Sequence, residues 1–261
     1  MQLRGTHVVI TGASRGIGEA IADEFARRGA VLSVVARTVE ALAPVAGRTG
    51  ATAVAADLAT TAGRADLIAR IEAAAGRPVE VLVNNAGIEV TKPLVEHTEA
   101  ELAAIVEVNL HAPMELTRQV LAGMLARGRG HVVNVSSMAS AGGFPGMASY
   151  CATKAGLSQF TRVLRQDLKG TRIGLTSVEI GPIPTDMLAG VDAHPPVKAA
   201  FERFERLQLM PKVAREVVAR ETAEAVEKER RNVWLPKRAG MFPLLTSLPQ
   251  RIVDPLIRDL R

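Results

Sequence analysis

Aromatic side chains are scarce in this chain of 261 residues. They make up 3% of it and include one tyrosine, Tyr150, and one tryptophan, Trp234. Proteins that bind single-stranded nucleic acid stack the bases on several aromatic side chains set among basic ones. Because the chain lacks that combination, we expect no nucleic-acid partner.

Cysteine is rarer still, since Cys151 is the only one. A single thiol excludes an internal disulfide and a multi-cysteine metal site. The five histidines are scattered without the spacing of metal ligands, so we expect no metal. The residues before Gly12 include no apolar stretch of signal-peptide length, which argues against secretion by that route. We therefore expect a cytoplasmic protein.

Long apolar runs are also missing. The longest uncharged stretch, residues 131–153, contains Asn, Ser, Gly and Pro and does not fit a membrane span. The chain contains 48% hydrophobic and 23% charged residues, the balance of a globular protein.

The net charge of +5 comes entirely from residues 193–261. That region could be a solvated helix face, or it could meet an acidic partner or an anionic membrane surface.

Short runs rich in β-branched residues alternate with longer stretches of helical period. The runs predict strands at 6–11, 31–36, 52–56, 80–84, 131–136, 172–179 and 232–235. The stretches between them predict helices near 16–29, 38–47, 61–75, 98–126 and 149–169. Such alternation indicates an α/β fold, a doubly wound parallel sheet of about seven strands with helices on both faces. No linker divides the chain, which predicts a single domain over 1–261.

A glycine-rich turn connects the first predicted strand to the first predicted helix. Residues 11–18 are Thr-Gly-Ala-Ser-Arg-Gly-Ile-Gly. Glycines let backbone amides approach a pyrophosphate closely, and a helix N-terminus adds free N–H donors and positive partial charge. The turn therefore favours phosphate binding, although glycines also serve plain tight turns.

Three further motifs follow in a fixed order. Residues 84–87 are Asn-Asn-Ala-Gly after the fourth predicted strand, Ser137 follows the fifth, and Tyr150 precedes Lys154 by four residues. With the TGxxxGxG turn, they make residues 6–187 resemble the short-chain dehydrogenase/reductase family. The resemblance implies a single Rossmann-type dinucleotide-binding catalytic domain. It also implies an NADP(H)- or NAD(H)-dependent oxidoreductase that interconverts a ketone or aldehyde and an alcohol by hydride transfer.

The resemblance also implies the residues that contact the cofactor. Asp57 would contact the adenine amino group, although a carboxylate at a helix N-terminus is the alternative. Ile183 and Thr185 would hold the nicotinamide carboxamide, and here Gly precedes Pro at 181–182, the reverse of the family's usual order. The full predicted set is Gly12, Ser14, Arg15, Gly16, Ile17, Gly18, Arg37, Asp57, Leu58, Asn84, Ala86, Gly87, Tyr150, Lys154, Ile183 and Thr185, with Asn84 and the Ala86-Gly87 backbone flanking the adenosine ribose.

The end of the second predicted strand bears on the choice of cofactor. A carboxylate there would bind the free ribose 2′-hydroxyl of NAD(H) and repel the 2′-phosphate of NADP(H). This chain has Ala36 at that position, followed by Arg37, and Arg15 in the glycine turn adds a second guanidinium. Arginine suits phosphate binding. We therefore expect NADP(H), with NAD(H) as second choice, unless both arginines are simply exposed surface residues.

Tyr150 and Lys154 lie on one helix face, since they are four residues apart. A free phenol has a pKa of about 10, and a neighbouring ammonium favours the phenolate. We therefore predict that Lys154 lowers the pKa of Tyr150, which acts as general acid and base. By resemblance, Ser137 would hold the substrate oxygen, and Asn109 would position Lys154 through a water. Alternatively, Ser137 caps a helix and Asn109 faces solvent.

Two segments beyond residue 186 carry apolar side chains. We expect a substrate-loop insertion near 187–230, which could form a lid over an apolar carbonyl or alcohol substrate or simply pack on the sheet. An apolar and basic C-terminal tail near 237–261 could form a subunit contact or site cover, a peripheral membrane contact, which is not favoured, or a frayed end. The resemblance implies a homodimer or homotetramer built through the two long helices.

Two other functions compete with the oxidoreductase. The chain could be a catalytically silent NADP(H)-binding sensor or scaffold, but a pure binder would not need Asn109, Ser137, Tyr150 and Lys154 together. It could also be a related dehydratase or epimerase. Those relatives are usually longer and carry a different glycine spacing.

Overall fold

The sheet of the computed structural model has seven strands, all parallel. The structure describes residues 1–188, 194–207 and 211–238. Within them the order across the sheet is β3-β2-β1-β4-β5-β6-β7. The strands are β1 (His7–Thr11), β2 (Val31–Ala36), β3 (Thr52–Ala55), β4 (Val81–Asn84), β5 (Gly130–Ser137), β6 (Ile173–Ile180) and β7 (Asn232–Leu235). The predicted fold is confirmed, and each strand end lies within a residue or so of its predicted position.

Helices connect the strands on both faces of the sheet. They are α1 (Gly16–Arg27), α2 (Val39–Thr49), α3 (Thr61–Arg64), α4 (Leu67–Ala75), α5 (Glu99–Val106), α6 (Ala112–Arg127), α7 (Ala148–Asp167), α8 (Pro195–Arg206) and α9 (Arg215–Glu227). Where one helix was predicted over 61–75, there are two, because Asp66 adopts the left-handed conformation (φ 48°) between them. The helix predicted over 98–126 is interrupted by a π-helical turn, Glu107–His111.

The strand order reverses at β1. This strand pairs with β2 on one side and with β4 on the other, both in parallel register. The connections from β1 and β4 therefore leave the sheet in opposite directions and open a crevice at its carboxyl edge. In doubly wound sheets, ligands bind at this switch point.

The continuous apolar strands are explained by burial on both faces. Along β1, Val8 and Ile10 pack on one side and Val9 on the other. The first side is covered by helices that include α1, from which the fully buried Phe25 reaches the core, and α9. The second side is covered by helices that include α4 and α6. An alternating polar face is absent from these strands because neither face meets water.

A third apolar cluster lies at the carboxyl edge of the sheet. It joins Met138 and Phe144, which follow β5, to Val197 and Phe204 of α8. Part of the predicted insertion therefore packs against the segment that follows β5. Residues 189–193, 208–210 and the C-terminal tail from 239 onward lie outside the described residues, so the expectations for that tail stay predictions. None of the helices in the described ranges combines the length and apolar character needed to cross a membrane.

Phe25 offers a test of this packing, because its ring is fully buried in the core beneath α1. We expect Phe25→Ala to lower the free energy of unfolding by about 3–5 kcal/mol, the usual cost of a large cavity. The control is Val95→Ala, since Val95 is 93% exposed and should change stability by about 0.5 kcal/mol or less. Urea unfolding midpoints measure both. Equal losses for the two variants would contradict the packing described.

Candidate active site

The glycine turn between β1 and α1 lies against the loop that follows β4. Gly12 adopts a left-handed backbone conformation (φ +65°), and a Cβ there would lie 2.7 Å from Ala86 Cα. A Cβ on Gly18 would lie 2.2 Å from the carbonyl oxygen of Gly12. The Asn85 side-chain amide donates hydrogen bonds to the carbonyls of Thr11 (2.9 Å) and Gly12 (3.2 Å). Glycine is therefore required here by close packing of two backbones.

A cavity of about 600 Å³ opens in front of this turn. No side chain caps the N-terminus of α1, so its first amides remain available as donors. The cavity brings together most of the predicted cofactor contacts, namely Gly12, Ser14, Arg15, Gly16, Ile17, Gly18, Arg37, Asp57, Leu58, Ala86, Gly87 and Thr185. Its shape and donors fit a long ligand with a phosphate group at the helix N-terminus.

Basic and acidic side chains share the far end of this cavity. Arg15 is exposed and forms an ion pair with Asp186 (2.6 Å). Arg37 is exposed and forms no ion pair with any described residue. The Asp57 carboxylate accepts a hydrogen bond from the Ala59 amide (3.0 Å). The N-terminus of α3 is instead capped by the side chain of Thr60. The carboxylate of Asp57 therefore does not cap that helix.

Asn84 is not where the resemblance implied. Its side chain is buried and donates to Asn134 (2.9 Å) and Thr117 (3.2 Å), between β4, β5 and α6. It lines neither of the two cavities described here. The outward-facing position in the crevice belongs to Asn85, because successive side chains of a strand point to opposite faces. Asn84 therefore links β4 to β5 and α6. The prediction that it flanks the adenosine ribose is corrected.

A second, smaller cavity of about 90 Å³ adjoins the first. Ile17, Thr185 and Met187 line both. Ser137 and Tyr150 line the smaller cavity, as does the buried side chain of Ile183. The reversed Gly-Pro order at 181–182 therefore still brings Ile183 and Thr185 to the place where the two cavities meet.

Ser137 caps a short turn, as one alternative proposed, and its hydroxyl also lines the smaller cavity. Its hydroxyl donates to the carbonyl of Ile180 (3.3 Å) and accepts from the amide of Ala139 (3.1 Å), which caps a short 3-10 turn. It also forms a hydrogen bond with Tyr150 that lowers the pKa of that phenol. The cap fixes the hydroxyl in the cavity beside Tyr150.

Lys154 lies behind Gly87, which lines the larger cavity. The lysine is 4% exposed, and its Nζ donates to the carbonyl of Val135 (3.0 Å) and lies 5.7 Å from the centre of the Tyr150 ring. A Cβ on Gly87 would be 3.6 Å from this Nζ. Burial lowers the pKa of Lys154 to about 8, while the carboxyls of Glu179 and Glu89 act in the opposite direction.

The pKa of Tyr150 shifts in the direction opposite to the predicted lowering. Burial raises the pKa of Tyr150, and the negative charge of Glu89 raises it further. The hydrogen bond with Ser137 opposes them without overcoming them. Desolvation disfavours the charged phenolate. Tyr150 is therefore a protonated donor in this structure.

Asn109 lies in the π-helical turn Glu107–His111 and is fully buried, which corrects the solvent-facing alternative. Its side chain accepts from the Ile88 amide (2.8 Å) and donates to the Ile88 carbonyl (2.9 Å). It also donates to Thr153, the residue before Lys154 (3.3 Å). Asn109 thus ties the loop after β4 to α7, and π-helical turns are frequent at functional sites.

Sequence reasoning missed two carboxyl groups, those of the half-buried Glu89 and the buried Glu179. Glu89 lines the smaller cavity, and burial raises its pKa to about 7. Glu179 in β6 accepts from Ser140 (3.1 Å), Ser158 (2.7 Å) and Ser177 (2.7 Å). Glu179 at the end of an apolar strand is a signal that could have been noticed, whereas nothing local sets Glu89 apart. Within the described residues, no group of three potential metal ligands occurs.

Comparison with known proteins agrees with this geometry. A family model for short chain dehydrogenases matches residues 6–196, well over half of the chain. The chain therefore belongs to the short-chain dehydrogenase/reductase family of oxidoreductases. The resemblance inferred from its motifs is confirmed.

Individual relatives share about a third of their residues with the chain. The ketoacyl reductase HetN of Nostoc sp. is 37% identical over 181 residues, 67% of this chain and 63% of HetN. The 3-oxoacyl-(acyl-carrier-protein) reductase FabG of Pseudomonas aeruginosa is 36% identical over 193 residues, 72% of this chain and 77% of FabG. The matched part thus spans less than two thirds of the length of HetN.

A solved structure resembles nearly the whole chain. It is that of a putative NAD(P)-dependent gluconate 5-dehydrogenase from Beutenbergia cavernae with bound NADP. The two share 31% of their residues, with a TM-score of 0.80, over 94% of this chain and 99% of the other.

The close packing at Gly18 can be tested against another glycine. We expect Gly18→Ala to lower the free energy of unfolding by about 1–3 kcal/mol, because its Cβ would overlap the Gly12 carbonyl oxygen. Gly47→Ala is the matched control, since Gly47 lies in α2 with no neighbour within 4 Å of the added Cβ. That variant should be more stable by about 0.5–1 kcal/mol. Thermal or urea unfolding would measure both, and a Gly18→Ala protein as stable as the control would refute the packing argument.

Proposed function

We propose that the protein is an NADP(H)-dependent oxidoreductase that interconverts a carbonyl compound and an alcohol. The observation that carries this proposal is the meeting of two cavities at Ile17, Thr185 and Met187. The larger has room and donors for a dinucleotide, and the smaller carries Ser137 and Tyr150. The names of the ketoacyl reductase relatives support carbonyl chemistry.

The residues of the smaller cavity divide the proton chemistry between them. The bound nicotinamide would supply or accept the hydride. Ser137 would hold the substrate oxygen by a hydrogen bond, and Tyr150 would donate its proton to that oxygen during reduction. Lys154, held behind Gly87 by its hydrogen bond to Val135, would place a positive charge beside the phenol as its proton leaves.

Each direction of the reaction needs a different protonation state of Tyr150. A phenol that is protonated at neutral pH is ready to donate, whereas alcohol oxidation needs the phenolate as a base. The protonated phenol is therefore the form that would donate to a carbonyl oxygen during reduction. An oxidised, positively charged nicotinamide beside Tyr150 would favour the phenolate and assist the reverse reaction.

Arg37 supports NADP(H) as the cofactor. It lines the larger cavity directly after Ala36, at the end of β2, and no described residue neutralises its charge. A guanidinium there can bind a 2′-phosphate, and Ala36 offers no carboxylate for a free 2′-hydroxyl. Arg15 contributes less than the sequence suggested, because Asp186 already pairs with it.

Several exposed apolar side chains support a homodimer or homotetramer. Val106 at the end of α5, Met114 and Leu125 of α6, and Val163 of α7 are each between 40% and 48% exposed. Apolar surface on these helices could be covered by a second copy of the chain.

The cytoplasmic location expected from the sequence stays a prediction.

Tyr150→Phe tests the catalytic assignment. We expect the variant to bind NADPH as tightly as the wild type, because the phenol lines only the smaller cavity. Its kcat for carbonyl reduction should fall by about 100- to 10,000-fold, the contribution of a positioned general acid. Fluorescence titration gives the binding, and NADPH absorbance gives the turnover on a panel of ketones and aldehydes.

Two outcomes of that experiment would contradict the assignment. Unchanged turnover in Tyr150→Phe would remove Tyr150 as the proton donor. Tight NADPH binding by the wild type, without turnover of any carbonyl compound, would favour the silent sensor or scaffold instead.

Arg37→Ala tests the choice of cofactor. We expect kcat/KM for NADPH to fall by about 10- to 100-fold, the value of one charge-assisted hydrogen bond to phosphate. The kcat/KM for NADH should stay within about twofold, because NADH lacks the 2′-phosphate. Arg118→Ala is the control, since Arg118 is an exposed residue of α6 outside both cavities. An equal loss with both cofactors, or a wild type that prefers NADH, would exclude this role.

A further inference from the structure

The smaller cavity has one carboxyl group in a mainly apolar lining. Among the described residues that line it, Glu89 is the only charged one. Its lining also includes the apolar side chains of Phe144, Met147, Met187, Leu188 and Phe201. Burying a carboxyl group among apolar side chains costs free energy unless a hydrogen-bonding partner compensates for the lost hydration.

Glu89 has one satisfied oxygen and one unsatisfied oxygen. The Thr91 hydroxyl donates to Oε1 (2.9 Å), which fixes the orientation of the carboxyl group. Oε2 is buried and accepts no hydrogen bond from any described residue. Burial is also what raises the pKa of this group to about 7. An unpaired buried oxygen loses its hydration without compensation, and a ligand that donates a hydrogen bond would restore it.

The position of Glu89 is fixed by the catalytic framework. The preceding residue, Ile88, is held at both its amide and its carbonyl by the buried side chain of Asn109. Asn109 is in turn bonded to Thr153, next to Lys154. Glu89 and Lys154 interact electrostatically, as do Glu89 and Tyr150. The carboxyl group therefore has a set place relative to the proton donor.

We propose that Glu89 is a specificity residue that accepts a hydrogen bond from a hydroxyl group of the substrate. The substrate class is then a hydroxyketone or hydroxyaldehyde in reduction and a diol in oxidation. The carbonyl would lie at Ser137 and Tyr150, a nearby hydroxyl at Glu89 Oε2, and an apolar remainder against the phenylalanine and methionine side chains. This proposal rests on the oxidoreductase function proposed above.

A hydroxyl fits this site better than an ammonium group. A substrate cation would lie near Lys154, whose charge already interacts with Glu89. The other buried carboxyl group, on Glu179, is occupied by three serine hydroxyls and does not line the cavity. A substrate ammonium would add a second buried positive charge beside Lys154, which costs more desolvation than a neutral hydroxyl does.

Matched pairs of ketones test the proposal, because hydroxyl and methyl groups have nearly the same size. The pairs are hydroxyacetone with butanone, and phenacyl alcohol with propiophenone. We expect the wild type to favour the hydroxyl member by about tenfold or more in kcat/KM, the discrimination of a site that hydrogen-bonds a substrate hydroxyl. In Glu89→Leu that ratio should fall to about one or below, and Glu89→Gln should keep part of it, because its amide oxygen still accepts.

Two further variants separate recognition from general damage. Glu96→Leu should keep the wild-type ratio, because Glu96 is an exposed carboxylate outside both cavities. Thr91→Val removes the hydrogen bond to Oε1 and should reduce the ratio without abolishing it. Circular dichroism and NADPH titration confirm that each variant is folded and binds cofactor.

Each remaining outcome is decisive. A wild type that oxidises NADPH with both members of a pair, but without preference for the hydroxyl, overturns the role of Glu89 and leaves the oxidoreductase function standing. An unchanged kcat/KM ratio between the two members of a pair in Glu89→Leu would likewise overturn the role of Glu89 and leave the oxidoreductase function standing. A stronger, Glu89-dependent preference for aminoacetone would replace the hydroxyl by an amine. Binding of NADPH without turnover of any of these ketones would overturn the proposed function itself.

Discussion

The close approach of two backbones is the constraint on which the site depends. The glycine turn after β1 and the loop after β4 touch where a Cβ on Gly12 would lie 2.7 Å from Ala86. They can meet because β1 and β4 are neighbours at the point where the strand order reverses. The Asn85 amide joins the two loops by hydrogen bonds. The same loop continues through Gly87 to Glu89, so a single packing contact positions both the cofactor cavity and the carboxyl group of the smaller cavity.

Burial then decides the charge states of the groups around that contact. Tyr150, Lys154, Glu89 and Glu179 are all withdrawn from water, and burial is the largest influence on the pKa of each of the first three. Residue spacing shows which charges are neighbours but says nothing about desolvation. That is why attraction between Tyr150 and Lys154 was expected to dominate, although burial prevails. The result is a protonated phenol that can donate its proton, beside a lysine whose charge is destabilised by burial.

The architecture and most residues of the cofactor cavity could be predicted from the sequence, and the physical reasons are clear. Continuous apolar runs mark strands covered on both faces, and glycines mark the turn because no other residue fits there. The break at Asp66 and the π-helical turn at Asn109 leave no comparable signal, since both depend on tertiary contacts. Asn84 and Asn85 are adjacent and chemically identical, so only the strand geometry assigns one to the core and the other to the crevice.

The apolar wall of the smaller cavity is part of the packing that anchors α8. The ring of Phe144 lies 5.1 Å from that of Phe201, which lines the cavity, and 5.8 Å from that of Phe204, which is buried. The helix α8 therefore both lines the smaller cavity and packs in this cluster, whereas the lid stays a prediction. Because this wall is fixed by a buried aromatic cluster, it can select a substrate by shape but cannot recognise a polar group. Polar discrimination in this cavity therefore falls to the hydroxyls of the catalytic residues and to Glu89, whose free oxygen is the one buried acceptor there without a partner among the described residues.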